Sequence, residues 1–379
     1  MKLVFISLLK GKLWGGSENL WFNTALLAAK KNYSILVVID GNIDPNKIEI
    51  LKFFGAKVIF FEDHLTNIKD KLLSRLDKDY AVKMLSRHLE TKINNFAPAL
   101  IIVNQPGCYD LAFDNITAKF LTQTNSKFVI TFHSYIADLV LTEESILKMT
   151  KLCSEAKGNY FVAKKQFNVL QKQLNTELNN VFFIQNPINL NSITDLSYPD
   201  NETIKFAMVS SLDILWKGQD ILLNIFSKPE WQQRKWHLSI FGDGPDYEKL
   251  NNSINKLKLT EFISLKGHHS DISGIWATHH LLLMPSRVDA APSVLLEAMA
   301  CGRTAVCTNV GFVDEWIEDG VTGFIASKPT EESFEIKLNE MWQQRSRLKE
   351  IGQQAKMVFL SKYVHNADQA FLEHLENKI

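Results

Sequence analysis

The stretch Met284-Pro-Ser-Arg-Val-Asp289-Ala-Ala-Pro292-Ser-Val-Leu-Leu-Glu297-Ala-Met-Ala-Cys-Gly302 is the most informative in this 379-residue chain. An apolar run ends near Met284, a loop carries Asp289, and Pro292 suits a first helical turn, with Gly302 as a left-handed cap at the far end. The first amides of that helix would attract an anion. Glu297 sits among Leu295, Leu296, Ala298 and Met299. A carboxylate there must meet water, a cation or a ligand's hydroxyls, because burying it bare is expensive. Two carboxylates eight positions apart around such a turn are suited to holding polyols. The plain alternative is one loop Asp and one surface Glu.

Four other stretches could assist. Gly15-Gly16-Ser17-Glu18 follows an apolar run, and its glycines and capping serine would make a cradle for a phosphate or a sugar. It is not the G-x-G-x-x-G dinucleotide fingerprint, and plain turn chemistry explains it equally well. His133 follows Phe128-Val-Ile-Thr-Phe132 directly, at the edge where ligands bind, though a satisfied core histidine is the ordinary reading. Ser210-Ser211-Leu212-Asp213-Ile214-Leu215-Trp216-Lys217-Gly218 offers one lysine for a diphosphate, or an exposed lysine and nothing more. Gly242-Asp243-Gly244-Pro245 permits a tight turn against a ligand or against neighbouring backbone.

The elements that would position these residues alternate short apolar runs with longer helical patterns, the sign of parallel α/β sheets. Strands are expected at Lys2–Ser7, Ser34–Ile39, Lys57–Phe61, Leu100–Asn104, Phe128–Phe132, Gly158–Val162 and Val181–Gln185. A second series follows at Lys205–Ser210, His237–Phe241, Ile263–Lys266, His280–Met284, Thr304–Thr308 and Gly323–Ala326. The polar, Asn- and Pro-containing stretch between them reads as a linker. The expected organisation is one doubly wound domain over residues 1–186, a linker over 187–203, a second domain over 204–360 and a final helix over 361–379. In open α/β sheets ligands lie beyond the carboxyl ends of the strands. The loops just described occupy those positions, and the substrate is expected in a cleft between the domains.

Composition excludes several classes. With 46% hydrophobic and 22% charged residues the chain is globular, and 42 Lys/Arg against 42 Asp/Glu lack the basic excess of a nucleic-acid-wrapping protein. Residues 1–185 carry 23 basic and 17 acidic residues, a net +6, and the remainder −6. That asymmetry points the first half toward an anionic surface or a phosphorylated acceptor. Cys108, Cys153, Cys301 and Cys307 form no C-x-x-C pair, and no His cluster has zinc spacing. A reducing compartment and no structural metal are therefore expected. The apolar run after Met1 stops at Lys10-Gly11-Lys12 without a cleavage site, so it reads as a buried strand, and no run approaches the ~20 residues of a membrane-spanning helix.

Taken in series, these motifs resemble the nucleotide-sugar signature of family 4 retaining glycosyltransferases with the GT-B fold. The resemblance covers nearly the whole chain. It runs through Gly-Gly-x-Glu at Gly15–Glu18, His133, Leu212–Gly218, Gly242–Pro245, the Asp289–x7–Glu297 element and Gly320-Val-Thr-Gly323-Phe324. It implies two Rossmann-like domains facing across a cleft, with the final helix crossing back to the first. It also implies roles. Glu297 would bind the ribose hydroxyls of the donor, and Asp289 with the backbone of Ala290, Ala291, Pro292, Ser293 and Val294 would hold the donor sugar. Lys217, with Gly16, would neutralise the departing diphosphate. His133 would contact the sugar near the reacting carbon, and Gly15, Ser211, Gly242 and Asp243 would complete the donor site.

Two departures stand out. Asp289 replaces the family's usual glutamate and shortens its reach by about 1.5 Å. Ser211 occupies the family's arginine position, which removes a fixed cation from a leaving diphosphate. Lys10, Lys12 and Arg287 are the candidates to compensate.

The implied activity moves a sugar from a UDP-, GDP- or ADP-sugar to a hydroxyl acceptor in glycan, polysaccharide or glycolipid assembly. Configuration would be retained through same-face attack assisted by the leaving phosphate, with no metal or other cofactor required. The rival readings are a non-catalytic donor-binding homologue and a nucleotide-sugar epimerase. Residues Ile68–Phe96 read as a basic amphipathic helix. It could rest on an anionic membrane carrying a lipid-linked acceptor, or turn its leucines to the core. The expected location is the cytoplasm, with peripheral contact at the inner membrane face under the first of these two readings.

Overall fold

The computed structural model describes residues 1–61, 78–190, 196–199 and 202–379. They form two compact units, Met1–Pro187 together with Val364–Ile379, and Ile188–Tyr363.

The first unit is built on a seven-stranded, wholly parallel sheet of β1 (Lys2–Ser7), β2 (Ser34–Ile39), β3 (Lys57–Phe60), β4 (Leu100–Gln105), β5 (Phe128–Phe132), β6 (Asn159–Phe161) and β7 (Val181–Phe183). Their spatial order is β3-β2-β1-β4-β5-β6-β7. The central strands read as unbroken apolar runs because both faces are covered. Val4 and Ile6 pack with Leu36, Val38, Ile101 and Val103 on one face, while Leu3 and Phe5 pack with Val37, Ile39, Leu100 and Ile102 on the other. The Ala367–Glu376 helix joins this second layer through Phe371, Leu372 and Leu375. Tyr33 and Lys31 both donate to Glu376, at 2.7 and 3.1 Å, and tie its end to the first helix, Glu18–Lys30.

The basic helical pattern at Ile68–Phe96 is a helix over Lys78–Phe96, and its first ten residues lie outside the described ones. Leu89 and Ile93 are fully buried in the core and Lys83, Arg87 and Lys92 are exposed, so Leu89 does not face outward as the membrane reading required.

The second unit carries a six-stranded parallel sheet: β8 (Ile204–Val209), β9 (Trp236–Phe241), β10 (Ile263–Gly267), β11 (Leu281–Met284), β12 (Thr304–Thr308) and β13 (Phe324–Ala326). The order is β10-β9-β8-β11-β12-β13, so the chain reverses its direction of travel between β8 and β11. One face is apolar, with Phe206, Met208, Leu238 and Ile240 packed against Phe226, Trp231, Phe334 and Leu338. Strands were expected at all thirteen of these places; four have the expected bounds and the rest differ by one or two residues at one or both ends. Among the described residues no helix is long and apolar enough to cross a membrane. The four cysteines are free thiols, three of them buried.

Candidate functional site

In the second unit β8 and β11 are neighbours, so the loops leaving their carboxyl ends meet. The loop after β8 enters a one-turn helix, Ile214–Lys217, and the loop after β11 carries Arg287 and Asp289. The Arg287 N–H donates to the Trp216 carbonyl at 2.8 Å and joins the two loops through backbone. Lys217 Nζ then donates to Asp289 Oδ2 at 2.7 Å, each side chain about one-fifth exposed (23% and 19%). A cation and a carboxylate distant in sequence thus meet at the carboxyl edge of the sheet.

Arg287 is committed elsewhere. Its guanidinium makes a two-pronged ion pair with Asp220 at 2.8 and 2.9 Å, and Nη1 also donates to the Ile214 carbonyl. The pairing with Asp220 raises its already high pKa. Arg287, one of the candidates to compensate for Ser211, thus clamps the two loops together. Ser211 itself is exposed, and its carbonyl accepts from Gln219 Nε2 at 2.9 Å.

Glu297 lies on the Ser293–Ala300 helix and is only 2% exposed. Its Oε1 accepts from Asn189 twice, from the backbone N–H at 3.0 Å and from Nδ2 at 3.1 Å. Burial pushes this carboxyl's pKa up, and the two hydrogen bonds oppose the shift. Among the described residues no hydrogen bond falls on Oε2. Ahead of the helix and in its first turn, Ala290 and Pro292 are buried, while Asp289, Ala291, Ser293 and Val294 are partly exposed. The helix ends at Gly302, left-handed at φ +69°, as its composition predicted.

The loop from Asp289 to Ala290 is backed by Gly311, at φ +52°, where a Cβ would stand 2.0 Å from the Ala290 carbonyl oxygen. Phe312 N–H donates to the same oxygen at 3.0 Å. Only glycine allows this approach. Gly242 plays the same part on the other side: at φ +132° a Cβ would lie 1.9 Å from the Ser210 carbonyl oxygen, so the loop after β9 lies directly on the loop after β8. The Asp243 carbonyl accepts from Leu212 N–H at 2.9 Å, and its side chain is exposed. The close approach at Gly242 is thus made to neighbouring backbone.

The remaining candidates belong to the first unit. Gly15 and Gly16 keep negative φ, and a Cβ on Gly16 would meet nothing within 4 Å. The protein's own packing does not demand glycine there. Ser17 stands at the helix N-cap but makes no capping hydrogen bond; its hydroxyl donates to Glu18 Oε1 at 3.1 Å, which corrects the capping role expected of it. Glu18 is fully buried. It also accepts from Ser7 Oγ at 2.6 Å, Trp21 Nε1 at 2.7 Å and Asn104 Nδ2 at 2.9 Å. Four donors surround this carboxylate and tie the Gly-Gly loop to the ends of β1 and β4. Burial still raises its pKa.

His133 follows β5, its N–H donating to the Gln105 carbonyl at 3.1 Å. Its ring is buried, and neither ring nitrogen has a hydrogen-bond partner among the described residues. Burial pushes its pKa down to about 4, opposed by a polar contact with the Asn186 side chain, so the ring is neutral at pH 7. Lys10 pairs with Asp114 at 3.1 Å, and Lys12 is exposed.

Asn189, Gly311 and Asp220 escaped sequence reasoning. Asn189 sits in the polar stretch read as linker, and Asp220 looks like any first-turn acid. Gly311 carried a signal, a glycine just beyond a strand.

Residues 197–358 match the family model for Glycosyl transferases group 1. An uncharacterized glycosyltransferase of Haemophilus influenzae is 26% identical over 327 residues, 83% of each chain. Among solved structures, Anabaena HepE in complex with UDP superposes with a TM-score of 0.76 at 18% identity over the whole of both chains. A glycosyltransferase from Rickettsia africae superposes with a TM-score of 0.77 at 15% identity, over all of this chain and 97% of that one. The fold is GT-B, and the family match supports a group 1 glycosyltransferase.

Proposed function

We propose that this group 1 glycosyltransferase-like chain transfers a sugar from a UDP-sugar to a hydroxyl acceptor with retention of configuration at the anomeric carbon. The observation that carries this reading is the 2.7 Å Lys217–Asp289 pair at the carboxyl edge of the second sheet. It lies in the segment that matches the family model, eight residues ahead of the buried Glu297. HepE in complex with UDP supports the choice of uridine.

In this reading the bond between the anomeric carbon and the diphosphate oxygen breaks, and that oxygen leaves with the electron pair. The acceptor oxygen bonds the same carbon from the same face, and its proton passes to the departing phosphate. Lys217 releases Asp289 to neutralise the diphosphate, while Asp289 turns to the sugar hydroxyls. Glu297 accepts the ribose hydroxyls on Oε2 while Asn189 holds Oε1. Ala290, Ala291, Pro292, Ser293 and Val294 shape the wall around the sugar and its phosphate, with Ser211, Gly242 and Asp243 at its border. His133, Gly15 and Gly16 keep the roles the resemblance assigns them. A pre-positioned cation in a site that excludes water is worth far more than one in solution, so little else is asked of the protein.

Arg287 is held by Asp220 and Ser211 brings no charge, which favours one second reading: a homologue that binds the donor without turning it over. One experiment separates the two. Purified protein is incubated with UDP-glucose, UDP-galactose and UDP-N-acetylglucosamine and a panel of glycosyl, polyol and lipid-linked acceptors, and products are read by mass spectrometry and anomeric proton couplings. A product with the donor's configuration supports transfer with retention. Inverted product refutes retention, and UDP binding without any product favours the second reading.

A further inference from the structure

The far end of the second sheet breaks the rule that parallel strands in doubly wound sheets are apolar on both faces. Along Trp236-His-Leu-Ser-Ile-Phe241 every second residue is polar or faces away from the core, and Lys205 on β8 and Ser264 and Lys266 on β10 continue the pattern. Lys205, His237, Ser239, Phe241 and Lys266 line a cavity of about 430 Å³, walled by the Ile272–Thr278 helix and the residue after it, His279. Its chemistry comes from Lys205, His237, Lys266, His269 and His279, and no carboxylate lines it. The Phe241 ring packs against two of the imidazoles, 5.8 Å from His269 and 5.4 Å from His279.

Two ammonium groups share this lining with no carboxylate on it and repel one another, and a dianion would reverse that repulsion. Hydrogen bonds already orient two of the rings. His279 Nδ1 faces the Ile275 carbonyl at 2.8 Å, which leaves Nε2 as the nitrogen able to take a proton. His237 Nε2 shares a hydrogen bond with Ser264 Oγ at 3.1 Å. Burial first, and then the neighbouring cations, depress the pKa of both rings below the usual imidazole value. The strain would be relieved by a bound anion.

We propose that this cavity binds a phosphate or diphosphate group, in a site separate from the Lys217–Asp289 pair. It is large enough for a phosphorylated small molecule, within the usual ~300–1,000 Å³ of ligand pockets. The same chemistry would accept a phospholipid headgroup.

The test follows the imidazole signals of His237 and His279 by NMR while inorganic pyrophosphate is added at constant ionic strength. Saturable shifts are expected, with the titration midpoints of both rings moving up. The response should persist in Lys217→Ala, which separates it from donor binding, and weaken at least tenfold in a Lys205→Ala/Lys266→Ala double variant. Sedimentation with phosphatidic acid vesicles, against phosphatidylcholine vesicles, distinguishes the sources. Headgroup binding lost in the double variant identifies a lipid phosphate, and pyrophosphate binding alone identifies a soluble ligand. The proposal is overturned if neither ligand binds, if matched chloride gives the same shifts, or if the double variant binds as tightly as the parent.

Discussion

Replacing Glu297 by glutamine separates its proposed ligand role from its structural one. In the folded chain Asn189 donates twice to Oε1, and a carboxamide oxygen can keep both bonds. The new amino group then takes the place of Oε2, where the proposed ribose hydroxyls would be accepted, and it can only donate. Hydrogen bonds to a charged group are worth about 1.5–3 kcal/mol each. Losing one strong bond, or two weakened ones, should cost about 2–3 kcal/mol, a rise in the UDP Kd of roughly 30- to 150-fold. Stability should not follow. Burial raises the carboxyl's pKa in the fold, so the unfolded chain releases that proton at a lower pH, and the ionised carboxylate disfavours the fold at neutral pH. Glutamine carries no such penalty, and the melting temperature at pH 7.5 should be equal or higher. Calorimetric titration with UDP and thermal unfolding measure both quantities. A Kd within twofold of the parent's, at an unchanged melting temperature, would refute the role given to Glu297. Glu297→Ala is the contrast: it removes the acceptor of both Asn189 hydrogen bonds and should destabilise the fold by about 1–3 kcal/mol.

Lys217→Ala removes the proposed cation at the leaving diphosphate, and kcat should fall by about 10²–10³-fold with little change in melting temperature, as read from steady-state kinetics. Gly311→Ala would drive a methyl group to 2.0 Å from the Ala290 carbonyl oxygen at a left-handed φ, so donor affinity and melting temperature should fall together. His133 is neutral in the fold, with a pKa of about 4 against about 6.5 unfolded. Its contribution to stability is full above pH 6.5 and declines as pH falls toward 4, by about 2 kcal/mol between pH 7 and pH 5. Urea unfolding of His133→Gln should show a shallower acid loss by that amount, and identical pH slopes would count against a buried neutral ring.

The doubly wound fold was legible because β1, β2, β4, β11 and β12 are apolar on both faces, and such runs separated by helical periods admit few other arrangements. The Asp289–Glu297 element was legible because a carboxylate in an apolar helix requires an explanation. What sequence could not supply was pairing. Nothing in the types of Asp220 and Arg287 distinguishes a clamp from two surface charges, since their meeting depends on β8 and β11 being neighbours. Gly15 and Gly242 look alike on paper, but only Gly242 has its conformation enforced by a carbonyl oxygen in contact. Glu18 was read as part of a motif, and the four donors around it come from β1, β4 and the start of its own helix.

The Asp220–Arg287–Ile214 clamp fixes the backbone on both sides of the Lys217–Asp289 pair, so the pair can open by side-chain rotation alone. In its resting state the ammonium is already neutralised, and an incoming anion must outcompete a carboxylate tethered at 2.7 Å. Acetate or chloride offers one diffuse charge and should fail, whereas a diphosphate offers several. We expect UDP affinity to be almost insensitive to the choice of chloride or acetate as the salt anion at fixed ionic strength, and in Asp289→Asn, where the internal competitor is gone, monoanions should begin to inhibit. On this view the carboxylate filters ligands by valence, even when no sugar is bound.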